Sequence, residues 1–101
     1  MNLREYARGQ DCQVRIPFVC NRDPATTVLA HIRLAGITGV GMKAPDLLGA
    51  WSCSACHDAI DYRSKTDFAP EFLRQCHLEG MARTIAILTA EGIIRCSPLK
   101  E

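Results

Sequence analysis

The sequence has no long hydrophobic run, and this absence excludes the membrane-spanning class of protein. A transmembrane helix needs about 20 consecutive apolar residues, and no segment of the chain approaches that length. The segment from Met1 to Tyr6 also lacks the apolar run of a signal peptide. We therefore expect a cytoplasmic protein that has no membrane partner.

An excess of charge of either sign is missing too. The 12 Lys and Arg residues nearly balance the 11 Asp and Glu residues, for a formal net charge of +1. This balance argues against a strongly basic nucleic-acid coat, although a local basic face is compatible with it. Repeats and low-complexity segments are absent. With 101 residues, of which 48% are hydrophobic, the chain fits one small folded domain over 1–101.

Cysteine, in contrast, is abundant, with six residues in this short chain. Without a signal peptide, metal ligation explains them better than disulfides. Cys53 and Cys56 form a C-x-x-C pair, whose sulfurs can converge on one zinc ion at about 2.3 Å. Cys12 and Cys20 have seven intervening residues, so a longer loop must bring them together. We predict a structural Zn²⁺ site formed by these four cysteines.

Other uses of the cysteines stay open at this point. The Cys53–Cys56 pair also suits a thiol redox protein, which would bind no zinc and would need a βαβ context. Cys76 and Cys96 are interpreted as ordinary buried core residues. His77 lies beside Cys76 in a predicted helix, and we assign it no role.

The hydrophobic pattern predicts an α+β domain. We expect a short helix or irregular segment over 1–10, a loop or irregular hairpin over 12–20 and a strand over 26–33. A helical turn and a strand should follow over 46–52, and then a helix from 55 to about 63. This core, 11–65, is followed by an amphipathic C-terminal helix over about 68–91, with Asp67 as a possible N-cap and Gly92 at its end.

Three polar side chains suggest chemistry on phosphates. His31, in the first predicted strand, can take a proton from water near neutral pH. His57 and Asp61 are one helical turn apart, so both can hold a divalent cation on the same face of their helix. Arg33 and Lys43 are the candidates for binding the phosphate. Each residue also has a plainer interpretation: a core-edge histidine for His31, a solvated helix residue for His57 and a surface ion pair with an arginine such as Arg63 for Asp61.

The order of these features resembles the treble-clef ββα-metal centre of HNH and His-Me finger endonucleases. More closely, the chain is similar to the small HNH-like nucleases of lambdoid prophages, the YbcO type. The resemblance covers most of the chain and is densest over 11–61, where it includes DCQVRIP at 11–17, LAH at 29–31 and CSACHD at 53–58. It implies that His31 is the general base, that His57 is a ligand of the catalytic cation and that the four cysteines form the structural zinc site.

The sequence departs from the HNH pattern at two positions. Ala30 stands where these enzymes usually carry Asp or His as a second ligand of the catalytic ion. The Asn that orients the general base has Asp46 as its nearest counterpart, and Asp61 is the candidate for the missing ligand.

The resemblance implies a metal-dependent DNA endonuclease that hydrolyses phosphodiester bonds in phage or prophage replication or recombination. The catalytic ion would be Mg²⁺ or another divalent cation, and DNA would be the partner. The alternative is a zinc-stabilised DNA- or protein-binding module without catalytic activity. Ala30 and the near-neutral net charge favour this alternative.

Overall fold

Two short strands and three helices make up the part of the chain that the computed structural model describes, residues 2–38 and 43–95. In chain order they are α1 (Leu3–Ala7), β1 (Val28–His31), β2 (Gly49–Ser52), α2 (Ser54–Ile60) and α3 (Pro70–Ala90). Single 3-10 turns, Pro24–Thr26 and Asp46–Leu48, precede the two strands. The predicted α+β class is confirmed, and none of the described helices is long and apolar enough to cross a membrane. Cys96 lies outside the described residues.

The two strands pair antiparallel. Val28 lies opposite Ser52 and His31 lies opposite Gly49, so His31 is placed at the end of the ribbon. Every residue of β2 is buried, because α3 packs against this strand. The backbone N–H of Trp51 donates to Thr84 Oγ1 of α3 at 3.0 Å. The first strand lies inside the predicted range of 26–33 but is shorter at both ends.

Helix α3 begins later than the sequence suggested. Its N-cap is Ala69, in an extended conformation, and the cap has no side-chain hydrogen bond. The prediction that Asp67 caps this helix is wrong, because Pro70 fixes the first helical residue three positions further on. The other end agrees with the prediction: Gly92 follows the helix with a φ of +74°, a left-handed conformation that ends helices.

Helix α2 is shorter than the predicted range from 55 to about 63. It begins at Ser54 because Cys53 caps it, with the sulfur accepting a hydrogen bond from the Cys56 N–H at 3.4 Å. Its last helical residue is Ile60. Beyond it, Tyr62 adopts a φ of +59°, and the Arg63 N–H donates to the carbonyl of Asp58 at 2.8 Å. This bond closes the helix in the manner of a Schellman cap.

The buried residues form two clusters on either side of β2. One surrounds the cysteines and includes Val14, Ile16 and Leu73, while the other contains Ala7, Leu29, Trp51 and Leu88. Trp51 is 2% exposed, and its ring centroid lies 6.2 Å from that of Tyr6. Trp51 is therefore a core residue of the second cluster, which contains none of the cysteines.

Candidate metal centre and catalytic cleft

Cys12, Cys20, Cys53 and Cys56 converge on one point. Their four sulfur atoms lie within 4.8 Å of one another, and those of Cys20 and Cys53 are 3.8 Å apart. A tetrahedral zinc ion with bonds of about 2.3 Å keeps its sulfurs roughly 3.8 Å apart. Within residues 2–38 and 43–95 this is the one group of three or more potential ligands at such distances. The four cysteines can therefore hold a metal ion.

Backbone turns explain how Cys12 and Cys20 meet despite the seven residues between them. Arg15 and Arg22 each follow a cysteine closely and adopt φ values of +53° and +55°. In this conformation the backbone N–H groups of Arg15 and Arg22 lie near the Cys12 and Cys20 thiols and favour their ionised forms. The Ile16 N–H donates to Cys56 Sγ at 3.4 Å. The loop thus surrounds the sulfurs with donors that stabilise thiolates.

The cysteine thiols are hydrogen-bonded to one another, and this changes their pKa values. The hydrogen bond from Cys56 is the main cause that lowers the pKa of Cys12 to about 4, although burial acts in the opposite direction. The same bond raises the pKa of Cys56, and burial raises that of Cys20 to about 11. Cys12 therefore ionises more readily than Cys20 or Cys56. A metal ion would replace the shared protons and bind all four as thiolates.

The burial of the C-x-x-C pair argues against redox chemistry. Cys53 and Cys56 are both 0% exposed, whereas catalytic thiols need access to their substrates. The remaining described cysteine, Cys76, is buried in the core with a pKa raised mainly by burial. Its predicted structural role agrees with this environment.

His31 and Asp46 form a hydrogen-bonded pair. His31 Nε2 lies 2.7 Å from Asp46 Oδ1, and the His31 side chain is 14% exposed. A carboxylate accepts hydrogen bonds, so Nε2 carries the proton and Nδ1 is the nitrogen that can take another. The hydrogen bond from His31 is the main cause that lowers the pKa of Asp46, and the nearby charges of Arg4 and Lys43 add to it. The ring of His31 is therefore held in one orientation by an anion.

His57 and Asp61 also meet, as their spacing predicted. His57 Nε2 lies 3.2 Å from Asp61 Oδ2, one turn along α2. Two arginines reach the same carboxylate: Arg63 Nη2 at 3.2 Å and Arg33 Nη2 at 3.7 Å. Arg63 also lies 3.4 Å from His57 Nδ1. The plainer interpretation of Asp61 as an arginine partner is therefore observed alongside the pairing with His57.

A cleft of about 210 Å³ brings the proposed base and the Asp61 carboxylate together. Its lining includes His31, Arg33 and Asp61 from the predicted set. His57 and Lys43 are not among the lining residues, although His57 is bonded to Asp61 and Lys43 is an exposed residue whose charge acts on Asp46. The predicted base, His31, and the predicted ion ligand Asp61 thus line the same cleft, and no cysteine lines it.

Two residues of this cleft, His77 and Arg74 of α3, were missed by the sequence reasoning. His77 Nε2 donates to the carbonyl oxygen of Ala30 at 2.8 Å, next to His31. Burial is the main cause that lowers the pKa of His77, so this imidazole is neutral at neutral pH. The sequence feature that could have indicated His77 and Arg74 was their spacing of three residues, which places both on one face of the helix. The direction of that face depends on tertiary packing.

Comparison with known proteins places these observations in a family. The profile of the family described as "Putative nuclease YbcO" matches residues 1–93. A protein of Escherichia coli (strain K12) with that same description is 56% identical over 95 residues, which cover 93% of this chain and 97% of that protein. A protein of Enterobacteria phage 82, "Putative nuclease ybcO", matches to the same extent.

This chain is also similar to a solved structure in both sequence and fold. That structure is described as a "putative bacteriophage protein" from E. coli str. K-12 substr. MG1655, and it superposes with a TM-score of 0.76 at 49% identity. The match covers 90% of this chain and all of that one. The similarity to a phage-associated family therefore holds in both sequence and fold.

Proposed function

This chain belongs to the family described as "Putative nuclease YbcO", and we propose that it is a metal-dependent DNA endonuclease that hydrolyses phosphodiester bonds. The observation that carries the proposal is the cleft in which His31, held by Asp46, lies with Asp61. The relatives' phage association supports a role in phage or prophage replication or recombination.

The cysteine cluster is proposed to bind a structural zinc ion. Four buried or half-buried sulfurs within 4.8 Å of one another, with bonds from the Ile16 and Cys56 backbone N–H groups, suit zinc better than the oxygen-preferring cations. The order of the elements, a cysteine loop, two antiparallel strands and a helix that begins at the second cysteine pair, supports a treble-clef arrangement of the HNH type. Zinc would fix the start of α2 and therefore the positions of His57 and Asp61.

His31 is the proposed general base. Its Nδ1 takes a proton from a water molecule as the water oxygen attacks phosphorus, and the bond from phosphorus to the leaving oxygen breaks. Asp46 stabilises the protonated imidazole and holds the ring in place through the 2.7 Å bond. The leaving oxygen takes its proton from solvent. His31 is the residue for which loss of the side chain should remove hydrolysis.

His57 and Asp61 are the proposed ligands of a divalent ion, Mg²⁺ or a similar cation, which would stabilise charge on the phosphate. Two protein ligands suit Mg²⁺, because it usually keeps several waters and binds through few side chains. Arg33 and Arg74 line the same cleft and supply positive charge for the phosphate, with Lys43 as a further candidate near Asp46. In the described structure Arg63 and Arg33 form ion pairs with the Asp61 carboxylate. A metal ion could bind Asp61 only after these two side chains had moved away.

The second candidate function is a zinc-stabilised DNA- or protein-binding module without hydrolytic activity. Two observations favour it: Ala30 offers no ligand at the position before the base, and arginines already neutralise Asp61. This candidate predicts DNA binding that weakens steeply with salt and is not followed by cleavage.

The deciding experiment is a nicking assay on supercoiled plasmid with Mg²⁺ or Mn²⁺. It compares the zinc-loaded parent with His31→Ala and with Gln75→Ala, a control change on the exposed surface of α3. Nicking by the parent and by Gln75→Ala, but not by His31→Ala, would support the endonuclease. Binding of the plasmid without cleavage under either ion would select the binding module instead.

A further inference from the structure

Phe18 occupies a position at which its side chain contributes nothing to the fold. It is the most exposed large apolar residue among those described, with a relative exposure of 104%. It follows Pro17 in a tight turn closed by the bond from the Val19 N–H to the Ile16 carbonyl at 3.1 Å. Its φ is +62°, in the left-handed region. An aromatic ring at the tip of the cysteine loop therefore projects into solvent.

This conformation makes Phe18 an unfavourable choice for stability. A Pro followed by a residue with positive φ is the pattern of a type II turn, for which glycine is the preferred second residue. A side chain with a Cβ is strained there, and a fully exposed ring gains nothing from burial. Glycine would relieve the backbone strain and would expose no apolar ring. Because neither local geometry nor packing explains Phe18, its ring is best explained by a binding partner.

The surroundings of Phe18 indicate the chemistry of that partner. A cavity of about 430 Å³ beside it is lined by Arg15, Arg22 and Asp11 among others. Both arginines are exposed. The Arg15 guanidinium is positioned by bonds from Nε to the Cys12 carbonyl at 3.3 Å and from Nη2 to Gln13 Oε1 at 3.0 Å, which leave its other N–H groups for a phosphate. An exposed aromatic ring that shares a cavity with two arginines suits a nucleic acid, because bases stack on the ring while arginines bind phosphates.

We propose that Phe18 stacks on an unpaired or unstacked DNA base, with Arg15 and Arg22 on the adjacent phosphates. This inference rests on the proposed function and deepens it, since it names a DNA contact outside the cleft and favours substrates that contain unpaired bases. The Ile16–Cys20 turn is fixed by two bonds to the Ile16 carbonyl, from Val19 at 3.1 Å and Cys20 at 3.0 Å. The ring is therefore presented on a rigid platform, which lowers the entropy lost on binding.

The test measures DNA affinity and thermal stability in the same variants of the zinc-loaded protein. The ligand is a duplex with a short single-stranded gap that contains 2-aminopurine, whose fluorescence falls when an aromatic ring stacks on it. Phe18→Gly should raise the melting temperature by about 4 °C through relief of strain, yet weaken binding about fivefold or more. Phe18→Trp should preserve affinity and quenching, and Phe18→Leu should lose the quenching. Phe72→Leu, which removes a ring on α3 that stacks on Phe68, is the matched control.

The outcomes separate this inference from the proposed function. Higher stability together with weaker binding in Phe18→Gly supports stacking, since impaired folding cannot explain it. Unchanged affinity in that variant would overturn the inference while leaving the nuclease proposal intact. Lower stability, or conversion of a dimer to a monomer, would instead assign Phe18 to the fold or to self-association. A parent that neither binds nor nicks DNA would overturn both proposals.

Discussion

The imidazole of His31 and the carboxylate of Asp46 lie 2.7 Å apart, although 15 positions separate them in the sequence. The contact joins the end of β1 to the 3-10 turn that precedes β2. It is possible because antiparallel pairing places His31 opposite Gly49, close to that turn. In the proposed mechanism, this bond is the one through which Asp46 would orient the base.

The first prediction concerns this pair. If Asp46 acts only by orienting His31, then Asp46→Ala should reduce the nicking rate about 10- to 100-fold, while His31→Ala should reduce it about 100-fold or more. The double variant should be no slower than His31→Ala alone, because the carboxylate then has nothing to orient. Single-turnover nicking rates measure all three. Additive losses in the double variant would mean that Asp46 acts independently of the imidazole.

The second prediction concerns the metal centre. The purified parent should contain one zinc per chain, and Cys53→Ser should lose the metal together with most of the folding cooperativity. Cys76→Ala is the matched control, because Cys76 is a buried thiol outside the cluster. It should keep one zinc and lose about 1 kcal/mol of stability from the deleted sulfur. Metal analysis and thermal melts measure both effects, and a zinc-free parent with a cooperative melt would contradict the assignment.

The third prediction tests how α3 packs on the cysteine loop. A Cβ added to Gly80 would lie 2.9 Å from Val14 Cα and 3.0 Å from the Gln13 carbonyl oxygen. Gly80→Ala should therefore destabilise the fold by about 1–2 kcal/mol, although alanine normally improves a helix by about 1 kcal/mol. Ala86→Gly, on the exposed surface of the same helix, should also lose about 1 kcal/mol. Urea unfolding measures both, and a more stable Gly80→Ala would refute the close approach.

Local patterns in the sequence were sufficient for some features of this protein. The C-x-x-C spacing and the i, i+4 pair of His57 and Asp61 are short-range, so the helix that carries them determines their geometry. The contribution of α3 could not be predicted in this way. His77 reaches the Ala30 carbonyl across 47 positions of sequence, and Arg83 donates to the Gln13 carbonyl across 70. These contacts depend on which face of α3 packs on β2, which helical periodicity alone leaves open.

The residues with positive φ are a second feature that could not be predicted from the sequence. Arg15, Phe18, Arg22 and Tyr62 all adopt left-handed conformations that sequence rules assign to glycine. At Arg15 and Arg22 this conformation brings the backbone N–H groups near the cysteine thiols. At these two arginines the conformation is therefore tied to the cysteine cluster, which is a long-range feature.

The fourth prediction concerns His77 and pH. Burial lowers the pKa of this histidine, and the nearby positive charge of Arg33 and the His57 ring act in the same direction. The Ala30 carbonyl and the Asp61 carboxylate oppose the shift but do not cancel it. The unfolded chain, with its histidine pKa near 6.5, therefore binds more protons than the folded protein below that pH. Stability contributed by neutral His77 is present above pH 6.5 and is lost as the pH falls towards the depressed folded pKa.

His77→Gln isolates this effect, because the glutamine amide can still donate to the Ala30 carbonyl but does not titrate. Between pH 7.5 and 5.5 the parent should lose more unfolding free energy than His77→Gln, measured by urea titration with zinc in excess. Protonation of the cysteine ligands is common to both proteins and cancels in the difference. Equal slopes would mean that His77 already exchanges protons freely with solvent in the folded state. A steeper slope in the parent would instead establish that α3 buries a neutral imidazole beside the proposed base.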